Sequence, residues 1–307
     1  MVGKDNGDFP EIISSIGAFG GSSGLYVLFS PEKYLLDFIL FGISSLLPSK
    51  SGIRVGSIAG IFMGPTFAMT KDLKPIDTYL PAGFLDAAIL TLGGTALVPG
   101  IHDRLDDILD GAGESTFKLV NTVFDFRNEK LFPGQPWPIG RDHRSFSSID
   151  LLIMDREEAM KISGENSLDK ALGYFSCSPL KAFMVTDGSQ PVSIYSRMVK
   201  PGTSGDHRLS RLPVSSALLS QSLKGELNAD TTGAGDNFVG GVIFSLAQQM
   251  ARGIETPDLV EAAKWGIVSG GFACTYMGGT FLEEYPGHKL KVISEYYELY
   301  AGQLKNG

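Results

Sequence analysis

The residues best suited to chemistry are Asp230-Thr-Thr-Gly233-Ala234-Gly235-Asp236-Asn-Phe238. Gly233, Ala234 and Gly235 carry little or no side chain, so the backbone there can turn sharply and come close to a ligand. Directly after them Val239, Val242, Ile243, Leu246 and Met250 recur at the spacing of one helix face. The segment therefore opens a helix. Amides at a helix start lack carbonyl partners and sit at the positive end of the helix dipole, which suits a phosphate group. Asp236 stands at the mouth of that anion hole, where a carboxylate can take a proton from a hydroxyl while the amides hold a phosphoryl group. The plainer alternative is a glycine-rich turn in which Asp236 caps the helix.

The elements that must position this segment read as an α/β chain. Ala87 to Leu92, Leu119 to Phe126, Ile149 to Met154 and Ala182 to Val185 are apolar runs of strand length separated by helix-like stretches. That alternation predicts a parallel sheet covered on both faces, with ligands at the carboxyl ends of the strands. A helical stretch is expected near His102 to Asp110. Three more follow the glycine segment and the two turns after it, over Val239 to Met250, roughly Pro257 to Tyr276, and Lys289 to Leu304. Met198 to Pro213 reads as loop or edge hairpin. The first 80 residues are interrupted by Gly and Ser and read as β-rich, with short strands at Leu25 to Phe29, Ile53 to Met63 and Thr66 to Thr70 and a helix near Tyr34 to Leu47. With no linker-like stretch, the chain 1–307 is taken as one domain.

Composition narrows the partners. Of 307 residues, 43% are hydrophobic and 20% charged, so disorder is excluded. The net charge of −8 disfavours nucleic acid and anionic lipid, both of which need a basic face. Cys177 and Cys274 are too few and too far apart for a disulfide framework or a zinc motif, and the four histidines are scattered. The uncharged stretch Val55 to Thr70 is too short to span a bilayer and holds Gly and Pro. The N-terminus lacks the apolar core of a signal peptide, so a cytoplasmic location is expected.

The string at 230–238 resembles the second signature of the ribokinase/PfkB carbohydrate-kinase family. The resemblance implies a ribokinase-like three-layer α/β sandwich, with a mostly parallel central sheet and a small N-terminal β lid drawn from about 1–80. It also implies ATP-dependent transfer of the γ-phosphoryl group to a hydroxyl of a sugar or related small molecule, with Mg2+ as cofactor. Asp236 would be the base, and Gly233, Ala234 and Gly235 the anion hole. Met154-Asp155-Arg-Glu-Glu158 resembles the family's Asn-x-x-Glu element, which arranges magnesium and phosphate; Asp155 holds the Asn slot and Glu158 matches. The plainer reading of the pair is a helix cap and a solvated first-turn carboxylate. Thr186 and Gly188 resemble the strand end beside the nucleotide phosphates. Val123-Phe-Asp-Phe-Arg127, followed by Trp137, resembles the strand ending in Asp-x-Asn-x-Arg, with Arg127 in place of Asn and Glu129 in place of Arg. Lys264 to Gly279 resembles the helix and loop that close over adenine. Asp230 and Thr232 match two positions of the family's monovalent-cation site, filled by K+, to which carbonyls near Cys274, Met277 and Gly279 would add.

Towards the N-terminus the pattern departs from the family. Gly20-Gly21 fits the sugar-recognising Gly-Gly pair, but no Asn follows, and the matching aspartates are missing. The acceptor, a sugar, a nucleoside or another small alcohol, stays open. Pairing of lids between two subunits would give a homodimer. Two other readings compete. Gly20-Gly-Ser22-Ser-Gly24 fits the nucleophile elbow of a serine hydrolase, with His207 or His288 completing a triad. The altered Asp155 slot and the missing N-terminal signature suit a regulator that binds nucleotide or sugar without turnover.

Overall fold

The computed structural model describes residues 13–18, 26–27, 55–59, 85, 87–97, 99–198, 209–224, 231–277, 281–285 and 287–306. Among the described residues, nine strands form one sheet. They are β1 (Ile13–Ala18), β2 (Tyr26–Val27), β3 (Val55–Ala59), β4 (Ile89–Gly93), β5 (Phe117–Asn121), β6 (Leu151–Asp155), β7 (Ala182–Asp187), β8 (Gln190–Ser196) and β9 (Leu209–Leu212), in the order β2-β1-β3-β4-β5-β6-β7-β8-β9. From β1 to β7 neighbours pair parallel through β3, β4, β5 and β6, while β2, β8 and β9 are antiparallel additions at the edges.

The central strands are apolar at consecutive positions because both of their faces are covered. Ile89, Leu119, Leu151, Ile153, Ala182 and Met184 enter one core. Their neighbours Leu90, Leu92, Val120, Leu152, Met154, Phe183 and Val185 enter the other. Successive side chains of a strand point to opposite faces, so an unbroken apolar run is what such a sheet requires.

Helices supply the outer layers. The second core is closed by α1 (Pro99–His102), α2 (Leu105–Gly111), α4 (Arg156–Ser163) and α5 (Leu168–Cys177), with buried Trp137 and Phe146 between them. The short α3 (Phe126–Leu131) lies beyond the end of β5 and buries none of its residues. The first core is closed by α6 (Ser216–Lys224), α7 (Ala234–Ala251), α8 (Leu259–Ala273) and α9 (His288–Asn306). The result is the three-layer sandwich expected. The polar stretch before Pro213 ends in edge strand β9, and the last three helices fall close to where periodicity puts them.

Two boundaries differ from expectation. The strand expected to reach Phe126 stops at Asn121, because the Asp125 carboxylate accepts the Asn128 amide at 2.8 Å and starts α3. The strand expected from Ile149 begins at Leu151, because the Ile149 amide still donates to the Ser145 carbonyl and is held in the turn that follows the 3-10 helix Arg144–Ser147. The described strands of the first 80 residues, β1, β2 and β3, belong to the main sheet. The helix near Tyr34 to Leu47, the strand at Thr66 to Thr70 and the remainder of the region assigned to a lid lie outside the described residues.

Candidate active site

Gly233 is the N-cap of α7, with φ of 74°. Only a residue without Cβ takes that left-handed conformation at little cost, which is why the turn needs glycine. The Ala234 amide donates back to the Thr231 carbonyl at 3.1 Å and tightens the turn. The Gly233 carbonyl accepts from both the Asn237 amide at 2.9 Å and the Asn237 side-chain Nδ2 at 2.8 Å. A Cβ placed on Gly235 would have no atom within 4 Å, so that side of the first turn is open to a ligand.

Asp236 occupies the first turn of α7 but does not cap it, since Gly233 takes that place. Its carboxylate is half-buried and makes no hydrogen bond among the described residues. Burial pushes its pKa up from 3.8 to about 6. A carboxylate with no structural bond and a raised pKa is suited to moving a proton near neutral pH.

The first turn is held in place from two sides. On α8, Gly270 meets the Ala234 carbonyl and Gly241 of α7 meets the Trp265 carbonyl, contacts that admit no Cβ. From α9, the buried Lys289 donates from Nζ to Asn237 Oδ1 at 2.7 Å. Burial lowers the Lys289 pKa from 10.5 to about 8, against the opposing charge of Glu283.

A second group of residues gathers at the carboxyl ends of β5, β6 and β7. Asp155, the last residue of β6, caps α4 and accepts the Glu158 amide at 2.8 Å. Glu158 returns the bond, accepting the Asp155 amide at 2.9 Å and the Thr122 hydroxyl at 2.6 Å on the same oxygen. This reciprocal capping box satisfies two amides that a helix start leaves open. Glu158 is buried, and burial followed by the charge of Asp155 pushes its pKa from 4.5 to about 7. The cap half of the plainer reading is therefore real for Asp155, whereas Glu158 is not a solvated carboxylate. Thr186 lies opposite Asp155 in the parallel register of β6 and β7. Gly188 takes φ of 56° in the tight turn into β8, with Asp187 paired to Gln190.

The 124–129 segment serves the scaffold. Arg127 pairs with Asp103 at 3.1 Å. Glu129 accepts from Trp137 Nε1 at 3.1 Å and from Lys161 at 2.8 Å. Gly20, Gly21, Ser22, His207, Asp230 and Gly279 lie outside the described residues, while Thr232 is half-buried in the turn before Gly233. His288 stacks on Tyr285. Three residues of the site escape a motif reading: Thr122, Asn237 and Lys289. The signal for Lys289 is a lone lysine in line with Ile293 and Tyr300 on the buried stripe of α9.

Sheet order and layers define a ribokinase-like α/β protein, with an open, glycine-started helix carrying a half-buried carboxylate. A model of the pfkB family carbohydrate kinases matches residues 107–284, more than half of the chain, which belongs to that family. Among solved structures, the chain is similar to a probable sugar kinase from Rhizobium etli CFN 42, at 15% identity and a TM-score of 0.50 over 73% of this chain and 59% of that one. It is also similar to a fructokinase with bound ATP from Xylella fastidiosa, at 18% identity and a TM-score of 0.49, covering 73% and 66% of the two chains. An adenosine kinase from Sinorhizobium meliloti gives 15% identity and a TM-score of 0.48, covering 73% and 58%. At these identities the likeness is one of fold, and the chain spans less than two thirds of the length of each of these proteins. A search of curated proteins finds no match. No helix among the described residues is long and apolar enough to cross a membrane.

Proposed function

We propose that this protein is a kinase that transfers the γ-phosphoryl group of ATP to a hydroxyl of a sugar or nucleoside. The observation that carries the reading is Asp236: a half-buried carboxylate with no hydrogen bond among the described residues, raised to about pKa 6, in the open first turn of α7. ATP, when bound with magnesium, supplies the transferable phosphoryl group and a screened leaving diphosphate. The first-turn amides of α7 and the positive end of its dipole hold the anionic group. Asp236 takes the proton of the acceptor hydroxyl.

The fit to nucleotide and magnesium rests on the chemistry of the donors. The open side of Gly235 leaves room for a phosphate against the backbone. A buried carboxylate held near pKa 7, as Glu158 is, is one that a nearby cation would ionise. Glu158 and Asp155 each spend one oxygen on the capping box. No group of three His, Cys, Asp or Glu among the described residues could hold a metal ion. Magnesium is read as arriving on the nucleotide, with Glu158 positioning it directly or through water and Thr186 and Gly188 beside the phosphates. Thr232, with Asp230, is assigned to a potassium ion that orders the turn before Gly233. Gly20 and Gly21 are assigned to the acceptor.

The test is ATP consumption against a panel of sugars and nucleosides, with Asp236→Asn as control. Turnover on one acceptor class, lost in the variant, supports the reading. Binding of ATP and acceptor without turnover by the unaltered protein replaces it with a regulator.

A further inference from the structure

We propose that Lys289 is a positioning residue for the start of α7. Its ammonium holds the Asn237 amide group, and that amide holds the Gly233 carbonyl from which the first turn springs. The proposal rests on the kinase reading only in calling that turn an anion hole.

Lys289 is 3% exposed and Asn237 5% exposed. A lysine so buried is costly unless its charge has work to do, since an apolar residue in line with Ile293 and Tyr300 would pack the same stripe without desolvating an ion. The bond that offsets the cost goes to Asn237 Oδ1 at 2.7 Å. The other end of the same amide, Nδ2, donates to the Gly233 carbonyl at 2.8 Å. A positive charge on Oδ1 polarises the amide and strengthens what Nδ2 donates, because bonds in series reinforce one another in a low-dielectric site. The Gly233 carbonyl, bonded twice by Asn237, cannot rotate away, so the left-handed cap and the amides after it keep one orientation.

Lys289 is anchored in turn. Its own backbone amide donates to Glu283 Oε1 at 2.7 Å, which fixes the start of α9 to the segment 281–285. Two parts of the chain distant in sequence, the start of α7 and the start of α9, thereby meet through one side-chain amide.

The experiment compares the full chain with Lys289→Met, Asn237→Ala, their double variant, and Asn237→Asp, which keeps an acceptor for Lys289 but loses the donor to Gly233. Amide hydrogen exchange of the peptide 231–238 is read against that of 259–273, and turnover is read on the acceptor found by the panel. Faster exchange at 231–238 with 259–273 unchanged is expected in every variant. So is a fall in kcat of about 10²-fold, the scale of a misplaced reacting group, with KM for ATP nearly unchanged. The double variant should be no worse than the worse single one. Unaltered exchange at 231–238 in a folded Lys289→Met protein, equal loss of protection in both peptides, or additive losses in the double variant would overturn the proposal. If the unaltered protein turns over no acceptor, the kinase reading fails, and the exchange comparison still decides the role of Lys289.

Discussion

Gly270 of α8 stands so close to Ala234 of α7 that a Cβ on Gly270 would come within 2.9 Å of the Ala234 carbonyl oxygen. The same atom would meet Phe238 Cβ at 3.2 Å. The two helices are thus in backbone contact at the point where α7 begins, so the orientation of its first turn depends on a residue near the end of a different helix. Gly270→Ala should cost about 1–3 kcal/mol by overpacking. It should also lower turnover by more than that loss alone would, since the atom displaced belongs to the site. Urea denaturation and kinetics on the same preparation check both. A variant as stable and as active as the unaltered protein would show that the helices yield freely there.

Asp236→Asn keeps the shape of the side chain and removes its basicity. Turnover should fall by about 10²–10⁴, while ATP affinity changes little, because no contact to phosphate is lost. The acid limb of kcat/KM in the unaltered protein should lie near the pKa of about 6 that burial gives Asp236. Glu158→Gln should leave that limb in place. A limb that moves with Glu158→Gln instead would assign it to the other buried carboxyl.

The two raised carboxyls also fix how stability varies with pH. Asp236 rises from 3.8 to about 6 and Glu158 from 4.5 to about 7, burial being the first cause in each case. The folded state therefore holds these protons more tightly than the unfolded chain, and unfolding releases them. Stability from these groups is greatest below pH 4 and is lost as the pH rises through 6 and 7. Urea midpoints at pH 5 and pH 8 should differ less in Glu158→Gln than in the unaltered protein. Asp236→Asn should be more stable than the unaltered protein at pH 8, although inactive. A larger pH difference in Glu158→Gln would contradict the assignment.

Potassium gives a separate test. If Thr232 and Asp230 hold the ion, turnover should rise when K+ replaces tetramethylammonium at equal ionic strength, and Thr232→Val should flatten the response. Equal rates in the two salts would remove the cation from the site.

The sequence made the central strands and the last three helices legible because their patterns are local. Leu90 and Leu92 alternate with Ile89 and Thr91 across a sheet covered on both sides, and Val239 to Met250 repeat at helical spacing. The glycine-Asp segment was legible because the whole string 230–238 resembles a family signature, where small residues before a helix alone would equally suit an ordinary cap. What pattern could not show was who holds whom. Nothing near Glu158 in sequence announces that Thr122, 36 residues earlier, bonds its carboxylate. Nothing beside Asn237 announces Lys289, 52 residues later. The early end of β5 was equally hidden, since it depends on Asp125 preferring the Asn128 amide to a place in the strand.

The sheet grows almost in the order in which it is made, each strand from β4 to β9 docking beside the one before it. A chain emerging from the ribosome could add these strands one after another. One face, carrying Ile89, Leu119, Ile153 and Met184, nevertheless stays bare until α7, α8 and α9 are complete, because those helices bring most of its cover. The growing chain would be sticky on that side until its last stretch arrives, and the same stretch carries the glycine cap, Asp236 and Lys289. A nonsense mutation or proteolytic cut ahead of Ala234 would not leave a folded but inactive protein. A chain ending there would keep that apolar face uncovered, so the loss of chemistry and the exposure of the core would come together.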